Sequence, residues 1–402
     1  MTRYSKPRFC LIHPMDPRGA KFGGIETHVR NFLKYYPDDV DLLFIGVDEI
    51  GDLHLGELSQ ISYMNRKILF LPLIFIPTDT LNKAGKTLKQ STTLLFALAL
   101  LKHYFLVRRL LKQTAVSIEL QRYEFSPFVR SLGYAPIQWV HGEGAPDQKM
   151  DSLLKKFWFT HRINEYLAIH FADYVFCVNQ AVKHRLQQLF PAHSDKYEVM
   201  SVAIDTQLFR SKPFDLTTDV LRICFAGRLD EFKDPPLMFR VLDKLHHALN
   251  GNLEFHYVGA SDPERYSEYS LIESFTIRHG LQTSQGVAHI AALCHCGILT
   301  SYFEGLPCYL LEMLATGRPV CAIRLPQYDT LIKSGLSGYL VERTKEIEIS
   351  EAALVSAFLK IWNEIKMNTI DPHSISQLVE DYSLTKQMTR LFERHLSRLT
   401  SV

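Results

Sequence analysis

The chain has 402 residues, enough for two domains with separate cores, and its composition is that of a globular protein, 47% hydrophobic and 22% charged. A net charge of +2 carries none of the basic excess that nucleic-acid binding needs. Seven cysteines, an odd number without paired spacing, argue against a disulfide framework or a zinc site and fit a reducing cytoplasm.

Phe9–His13 reads as a first buried strand. The basic start MTRYSKPR is followed by an apolar run of only four residues, too short for a signal peptide. Pro14–Lys21 is a polar loop, and Phe22-Gly23-Gly24-Ile25-Glu26 leads into a helix over about Thr27–Tyr36. Strand, glycine loop and helix together let backbone approach a phosphate, because glycine has no Cβ in the way. Leu42–Val47 is the next strand. Asp39-Val40-Asp41 has the Asp-x-Asp form of a metal site but reads as a solvated turn ahead of that strand. Ile68–Pro77 and Thr92–Leu101 are apolar, and both are far short of the roughly 20 residues that span a bilayer. From Thr80 to Ile118 there is no acidic residue, while Lys83, Lys86, Lys89, Lys102, Arg108, Arg109 and Lys112 are basic. Such a helix either lies on an anionic membrane surface or packs in the core with a solvated basic face.

Val116–Leu120 is a strand and Ser126–Leu132 a short helix. Pro136–Val140 is a strand that runs into His141-Gly142-Glu143-Gly144, and open α/β sheets bind ligands at the carboxyl ends of their strands. A helix over Leu153–His170, a strand over Tyr174–Val178 and a helix over Ala181–Leu189 follow.

The pattern restarts at Leu221–Ala226, a strand followed by Gly227-Arg228-Leu229 and Lys233. Two cations five residues apart across a strand-to-helix loop can hold a diphosphate between them. Pro235–Leu249 is a helix, and Leu253–Val258 is a strand ending in Gly259. Cys294-His295-Cys296 has no second ligand pair and reads as a strand end. Cys296–Thr300 is the strand that feeds Ser301 and Glu304. In Glu304–Ala322, EGLPCYLLEMLATGRPVCA, the spacing of Leu310, Leu311, Leu314 and Ala315 predicts a helix. Pro307 suits its first turn, and Gly317 and Pro319 stop it. Glu304 precedes this helix, and Glu312 falls on its exposed side about two turns along. The free amides of Cys308 and Tyr309 can take a phosphate. A nucleotide-sugar fits, with Glu312 on the ribose and Glu304 on the sugar. A strand over Pro319–Ile323, a helix near Gln327–Lys333, a strand over Gly338–Val341 and a last helix over Ser383–Leu396 complete the chain. Alternating strands and helices in both halves imply an α/β protein of two doubly wound, Rossmann-like domains facing each other across a cleft.

Glu304-x7-Glu312, with Gly305, Pro307, Gly317 and Pro319 in register, resembles the signature of glycosyltransferase family 4 (glycosyl transferases group 1), retaining enzymes of the GT-B fold. The resemblance covers most of the chain. Gly227-Arg228-Leu229-x3-Lys233 is similar to the family's donor-phosphate motif, departing at Asp234 where glycine is usual. Val199–Thr206 with Phe209 resembles its interdomain link, with Ala203 for glycine, and Gly23-Gly24 its first glycine loop.

The resemblance implies an acceptor-side domain over 1–205, a donor domain over 206–382, and a helix over 383–402 that crosses back to the first domain. It implies catalytic roles for Glu304 and His141, and donor contacts from Gly23, Gly24, Arg228, Lys233, Gly259, Leu281, Gly305, Leu306, Cys308, Tyr309 and Glu312. Past Gly259 the chain has Ala260-Ser261-Asp262 where the family often has a second glycine. No metal and no cofactor is implied beyond the UDP- or GDP-linked substrate. The acceptor would be a glycan or a lipid-linked glycan in bacterial polysaccharide or lipopolysaccharide synthesis, at the inner face of the cell membrane. A nucleotide-sugar 2-epimerase of the same fold and a non-catalytic scaffold are the competing readings.

Overall fold

In the computed structural model the described residues are 6–21, 23–81, 91–142 and 158–399, and they form two compact units. The first takes the chain through Gly142, residues 158–202 and the last helix from Thr385; the second takes Ala203–Leu384. Glu143, Gly144, Lys83, Lys86, Lys89 and the start of the helix read from Leu153 lie outside the described residues.

The first unit is built on an eight-stranded sheet. Its strands are β1 (Arg8–Ile12), β2 (Asp41–Asp48), β3 (Ser59–Tyr63), β4 (Arg66–Phe75), β5 (Val116–Leu120), β6 (Ile137–Val140), β7 (Tyr174–Cys177) and β8 (Tyr197–Val199), in the order β3-β4-β2-β1-β5-β6-β7-β8. Every pairing is parallel except β3 with β4. The central strand β1 is buried at all five positions, as expected where helices cover both faces of a parallel sheet. The β3–β4 hairpin has no counterpart in the sequence reading, which took Ile68–Pro77 only as an apolar run. Its turn puts two residues at positive φ, Met64 at 46° and Asn65 at 67°, matching the twist of a tight hairpin. Pro72 fits inside β4 because it lies at the register shift opposite Gly46–Asp48.

Apart from a single turn at Thr78–Leu81, the α-helices of this unit ahead of the last one are α1 (Gly24–Tyr35), α2 (Thr92–Lys102), α3 (Tyr104–Leu111), α4 (Ser126–Ser131), α5 (Trp158–Phe171) and α6 (Gln180–Leu189). The last helix of the chain, Leu384–Leu399, also packs here: Phe392 stacks on Phe9 at 6.0 Å and meets Phe32 edge-on at 5.0 Å.

The second unit has a six-stranded, all-parallel sheet ordered β11-β10-β9-β12-β13-β14. Its strands are β9 (Leu221–Ala226), β10 (Leu253–Val258), β11 (Thr276–Arg278), β12 (Cys296–Leu299), β13 (Val320–Ile323) and β14 (Gly338–Val341). They alternate with α7 (Pro235–Ala248), α8 (Ser284–Leu293), α9 (Cys308–Ala315), α10 (Ile347–Lys366) and α11 (Pro372–Gln377); the last helix, Leu384–Leu399, is α12. The helix expected near Gln327–Lys333 is a single 3-10 turn, Pro326–Tyr328. The chain then turns again at Ser337, whose N–H reaches the Lys333 carbonyl, and Gly335 at φ 74° cannot continue a right-handed helix. His295 holds no metal pattern: its Nδ1 accepts from the Arg222 amide, and its Nε2 donates to the Asp215 carbonyl.

In each sheet the strand order reverses once, between β1 and β5 and between β9 and β12. Ligands of open α/β sheets bind outside the carboxyl ends of the strands at such a point.

Candidate active site

The loops after β9 and β12 bring the motif residues of the second unit together. Gly227, at φ 151°, donates to the Val258 carbonyl at 2.9 Å. A Cβ on Gly259 would lie 2.4 Å from the Gly227 oxygen, so these two loops approach backbone to backbone and need glycine. Leu281 is exposed beside Gly280, whose carbonyl accepts from the Gly259 amide at 3.0 Å.

Lys233 Nζ donates to Glu304 Oε1 at 2.7 Å, and Ser301 Oγ donates to the same oxygen at 3.0 Å. Gln327 Nε2 holds the Glu304 carbonyl at 2.8 Å, and Thr300 Oγ1 donates to the Lys233 carbonyl at 2.7 Å. The phosphate-motif cation and the first glutamate are thus one fastened pair, both largely buried. Arg228 is more open: its side chain is 45% exposed and pairs with Asp230 at 2.7 Å.

Asp234, where the resemblance expects glycine, has φ 51° and ψ 59°. That left-handed conformation explains the glycine preference, and aspartate is one of the few side chains that tolerates it. Its Oδ1 caps α7 at the Leu237 amide, and its Oδ2 accepts from Arg343 Nη1 at 2.7 Å. Arg343 also donates to the Thr300 carbonyl and lies over the Tyr302 ring at 3.9 Å. It therefore ties the lysine loop to the glutamate loop. No motif in the sequence marks Arg343, because its partner is 109 residues away.

Helix α9 starts at Cys308 with Pro307 as its N-cap, one position earlier than the first-turn placement read from sequence, and no side chain caps it. Gly317 follows at φ 76°, ending the helix in the left-handed conformation that favours glycine. Leu306 is buried, and Gly305 lies between it and Glu304. Tyr309 is spent on structure: its hydroxyl donates to the Cys224 carbonyl at 2.5 Å and accepts from the Ile298 amide. The Cys308 thiol is pushed up to about 12 by burial and by the nearby charges of Glu312 and Glu304. Glu312 is not on an exposed face as the periodicity implied. It is half-buried, and burial pushes its carboxyl up to about 7.

In the first unit Gly23 has φ 155°, and a Cβ there would lie 2.4 Å from Glu26 Oε2. The glycine makes room for a carboxylate of its own helix, whose first residue is Gly24. Burial alone would raise Glu26, but the hydrogen bond from His13 at 3.2 Å and the charge of Lys21 at 3.0 Å hold it well below the usual range. His141 follows β6, with its Nε2 2.6 Å from Gln121 Oε1 and its ring stacked on Trp139. Burial, helped by the charges of His28 and His13, pushes it down to about 3, so it is neutral. Gln121 and its neighbour Glu119 drew no attention in the sequence, since neither stands in a motif.

Residues 221–361 match the family described as Glycosyl transferases group 1. Comparison with curated protein sequences finds no match. The chain is similar in structure to the sucrose-phosphate synthase of Thermosynechococcus elongatus, with a TM-score of 0.76 and 14% identity over 99% of this chain and 100% of that one. It is also similar to Anabaena HepE in complex with UDP and glucose, at 0.68 and 14% over 97% and 100%. The lipopolysaccharide outer core galactosyltransferase WaaB gives 0.62 and 17% over 97% and 99%. With a glycosyl transferases group 1 domain at residues 221–361, on a chain that has the GT-B fold, the protein is a glycosyltransferase.

Proposed function

We propose that the protein is a retaining, metal-independent enzyme of the family 4 type. It moves a sugar from a nucleotide-diphosphate-sugar to an acceptor hydroxyl in bacterial polysaccharide or lipid-linked glycan synthesis. The observation that carries this is the grouping of Lys233, Arg228, Glu304, Glu312 and the uncapped start of α9 at the β9/β12 switch point. Two of the similar structures have fitting names: HepE is in complex with UDP and glucose, and WaaB is a lipopolysaccharide galactosyltransferase.

The barrier to transfer is charge separation, because the sugar becomes oxocarbenium-like while the diphosphate leaves. Lys233, Arg228 and the α9 amides stabilise the leaving phosphates. Glu304 orients sugar hydroxyls and favours positive charge on the ring, and its bond to Lys233 holds both groups ready before substrate arrives. Glu312 accepts from the ribose. His141, being neutral, hydrogen-bonds a sugar hydroxyl, and the leaving phosphate takes the acceptor proton. Incubation with a panel of UDP- and GDP-sugars tests this. Nucleotide release that requires a hydroxyl acceptor, with the anomeric configuration kept in the product, is expected. Release without any acceptor would favour the 2-epimerase.

The acceptor side of the proposal rests on α2 and α3. Their inner faces bury Phe96, Leu100, Val107 and Leu111 in the core. Their outer faces leave Leu98, Leu101 and Phe105 exposed, Phe105 by 80%, among exposed Lys102, Arg108, Arg109 and Lys112. Among the described residues no helix is long and apolar enough to cross a membrane. An apolar strip rimmed by cations suits the surface of an anionic bilayer. The protein should co-sediment with phosphatidylglycerol vesicles at low salt and release as salt rises, and Phe105→Asp should weaken this several-fold. Equal recovery in the supernatant with and without vesicles would remove the membrane contact.

A further inference from the structure

A chain of buried polar side chains in the first unit ends on His141. Glu119 lies in β5 and Gln121 two residues on, so their side chains leave the same face of the sheet. Both are buried. One oxygen of Glu119 accepts from His395 Nε2 of α12 at 2.9 Å, and His28 Nε2 lies 3.4 Å from the other. Burial is the largest influence on Glu119 and would raise it, but the nearby His28 imidazole and the hydrogen bond from His395 bring it down to about 2. An ionised carboxylate can only accept hydrogen bonds.

Directionality then passes along the chain. Gln121 Nε2 lies 2.6 Å from Glu119 Oε1, so the amide nitrogen must face Glu119 and donate to it. The amide oxygen must point the other way, where His141 Nε2 sits 2.6 Å away. An amide oxygen accepts only, so His141 Nε2 carries the proton. A neutral imidazole has one N–H, and its other nitrogen keeps a lone pair. Trp139, stacked on the ring at 5.7 Å and 9°, holds it in this orientation.

We propose that Glu119 and Gln121 are positioning residues that fix His141 as the Nε2–H tautomer and present its Nδ1 as a hydrogen-bond acceptor for a substrate hydroxyl. Only the identity of that hydroxyl, a sugar's, rests on the proposed function. His141 therefore accepts from substrate and supplies no proton to it. In a serine-protease-like arrangement the imidazole would take a proton from a nucleophile; here the relay serves recognition, because Nε2 is committed to Gln121 and the half-buried ring, with His28 and His13 nearby, stays neutral near neutral pH.

The tautomer reading needs no ligand, so it fails or succeeds apart from the identity of the donor. Long-range ¹H–¹⁵N NMR of ¹⁵N-histidine-labelled protein, with His141 assigned through His141→Gln, reads the tautomer directly. The wild type should show a protonated Nε2 and an unprotonated Nδ1, unchanged between pH 8 and pH 5. Gln121→Leu should shift the ring toward a mixture of tautomers and lower kcat more than it raises KM. Gln121→Glu, which keeps an acceptor facing Nε2, should restore the Nε2–H form. An Nδ1–H ring or an even mixture in the wild type would overturn the proposal, whether or not the variants fold. So would a folded Gln121→Leu protein with an unchanged tautomer.

Discussion

Replacing Lys233 with alanine is expected to lower kcat/KM for sugar transfer by about 10²–10³-fold, the scale seen when one preorganised charge-stabilising donor is removed. Lys233 is held by Glu304 at 2.7 Å and both side chains are largely buried, so a fixed cation there acts on a leaving diphosphate with less screening than at an exposed site. Its removal also leaves the Glu304 carboxylate with only the Ser301 hydroxyl on that oxygen, which turns local charge against an incoming anion. The fold should survive, at a cost of about 1–2 kcal/mol for an interaction that is neither fully buried nor fully exposed. Arg228→Ala should be milder, about tenfold, because that guanidinium is half-exposed and pairs with Asp230. Steady-state kinetics beside a urea unfolding curve would check both. Near-normal transfer in folded Lys233→Ala protein would sink the phosphate role.

The second large effect is on stability, and its sign is set by Glu312. Burial pushes this carboxyl up to about 7, whereas in the unfolded chain it titrates near the ordinary carboxylate value. Between these two values the folded state binds the extra proton, so native stability falls as pH rises from about 4.5 to 7 and is level above that. Glu312→Gln removes the cost. At pH 8 the variant should be more stable than wild type by about 2 kcal/mol, less than the full linkage value because the side chain is only half-buried. At pH 4 the two should coincide. Urea unfolding at pH 4, 6 and 8 reads this directly, and parallel curves at all three would contradict the buried carboxyl. The stabilised variant should also bind nucleotide about tenfold more weakly, having lost the anionic ribose acceptor. A group kept at a cost to the fold is what a binding site requires.

Buried parallel strands write themselves into sequence as short apolar runs, and β9, β10 and β13 were legible for that reason. The hairpin was not. Ser59–Tyr63 is half polar because it lies at the sheet edge, and Met64-Asn65 lacks the usual glycine of a tight turn. The grouping of Lys233, Glu304 and Glu312 was legible because all three stand in fixed-spacing motifs beside strand ends. Periodicity placed Glu312 on a face of α9 but could not give its depth, which depends on what the neighbouring loops cover. Gln121 and Arg343 were invisible because each acts through partners distant in sequence. Asp234 was noticed as a departure, yet only its backbone conformation shows why aspartate can stand there.

A thermal-shift panel of UDP, GDP, ADP and their common sugar derivatives, on wild type and Glu312→Ala, tests the central claim most directly. A ligand that binds only the folded state stabilises it by about 2.7 kcal/mol at a hundred times its Kd. The account predicts a rise in melting temperature with one nucleotide family, diminished in Glu312→Ala. No rise with any of them would contradict a nucleotide-sugar site at the β9/β12 switch point and favour a scaffold that has kept the fold without the chemistry.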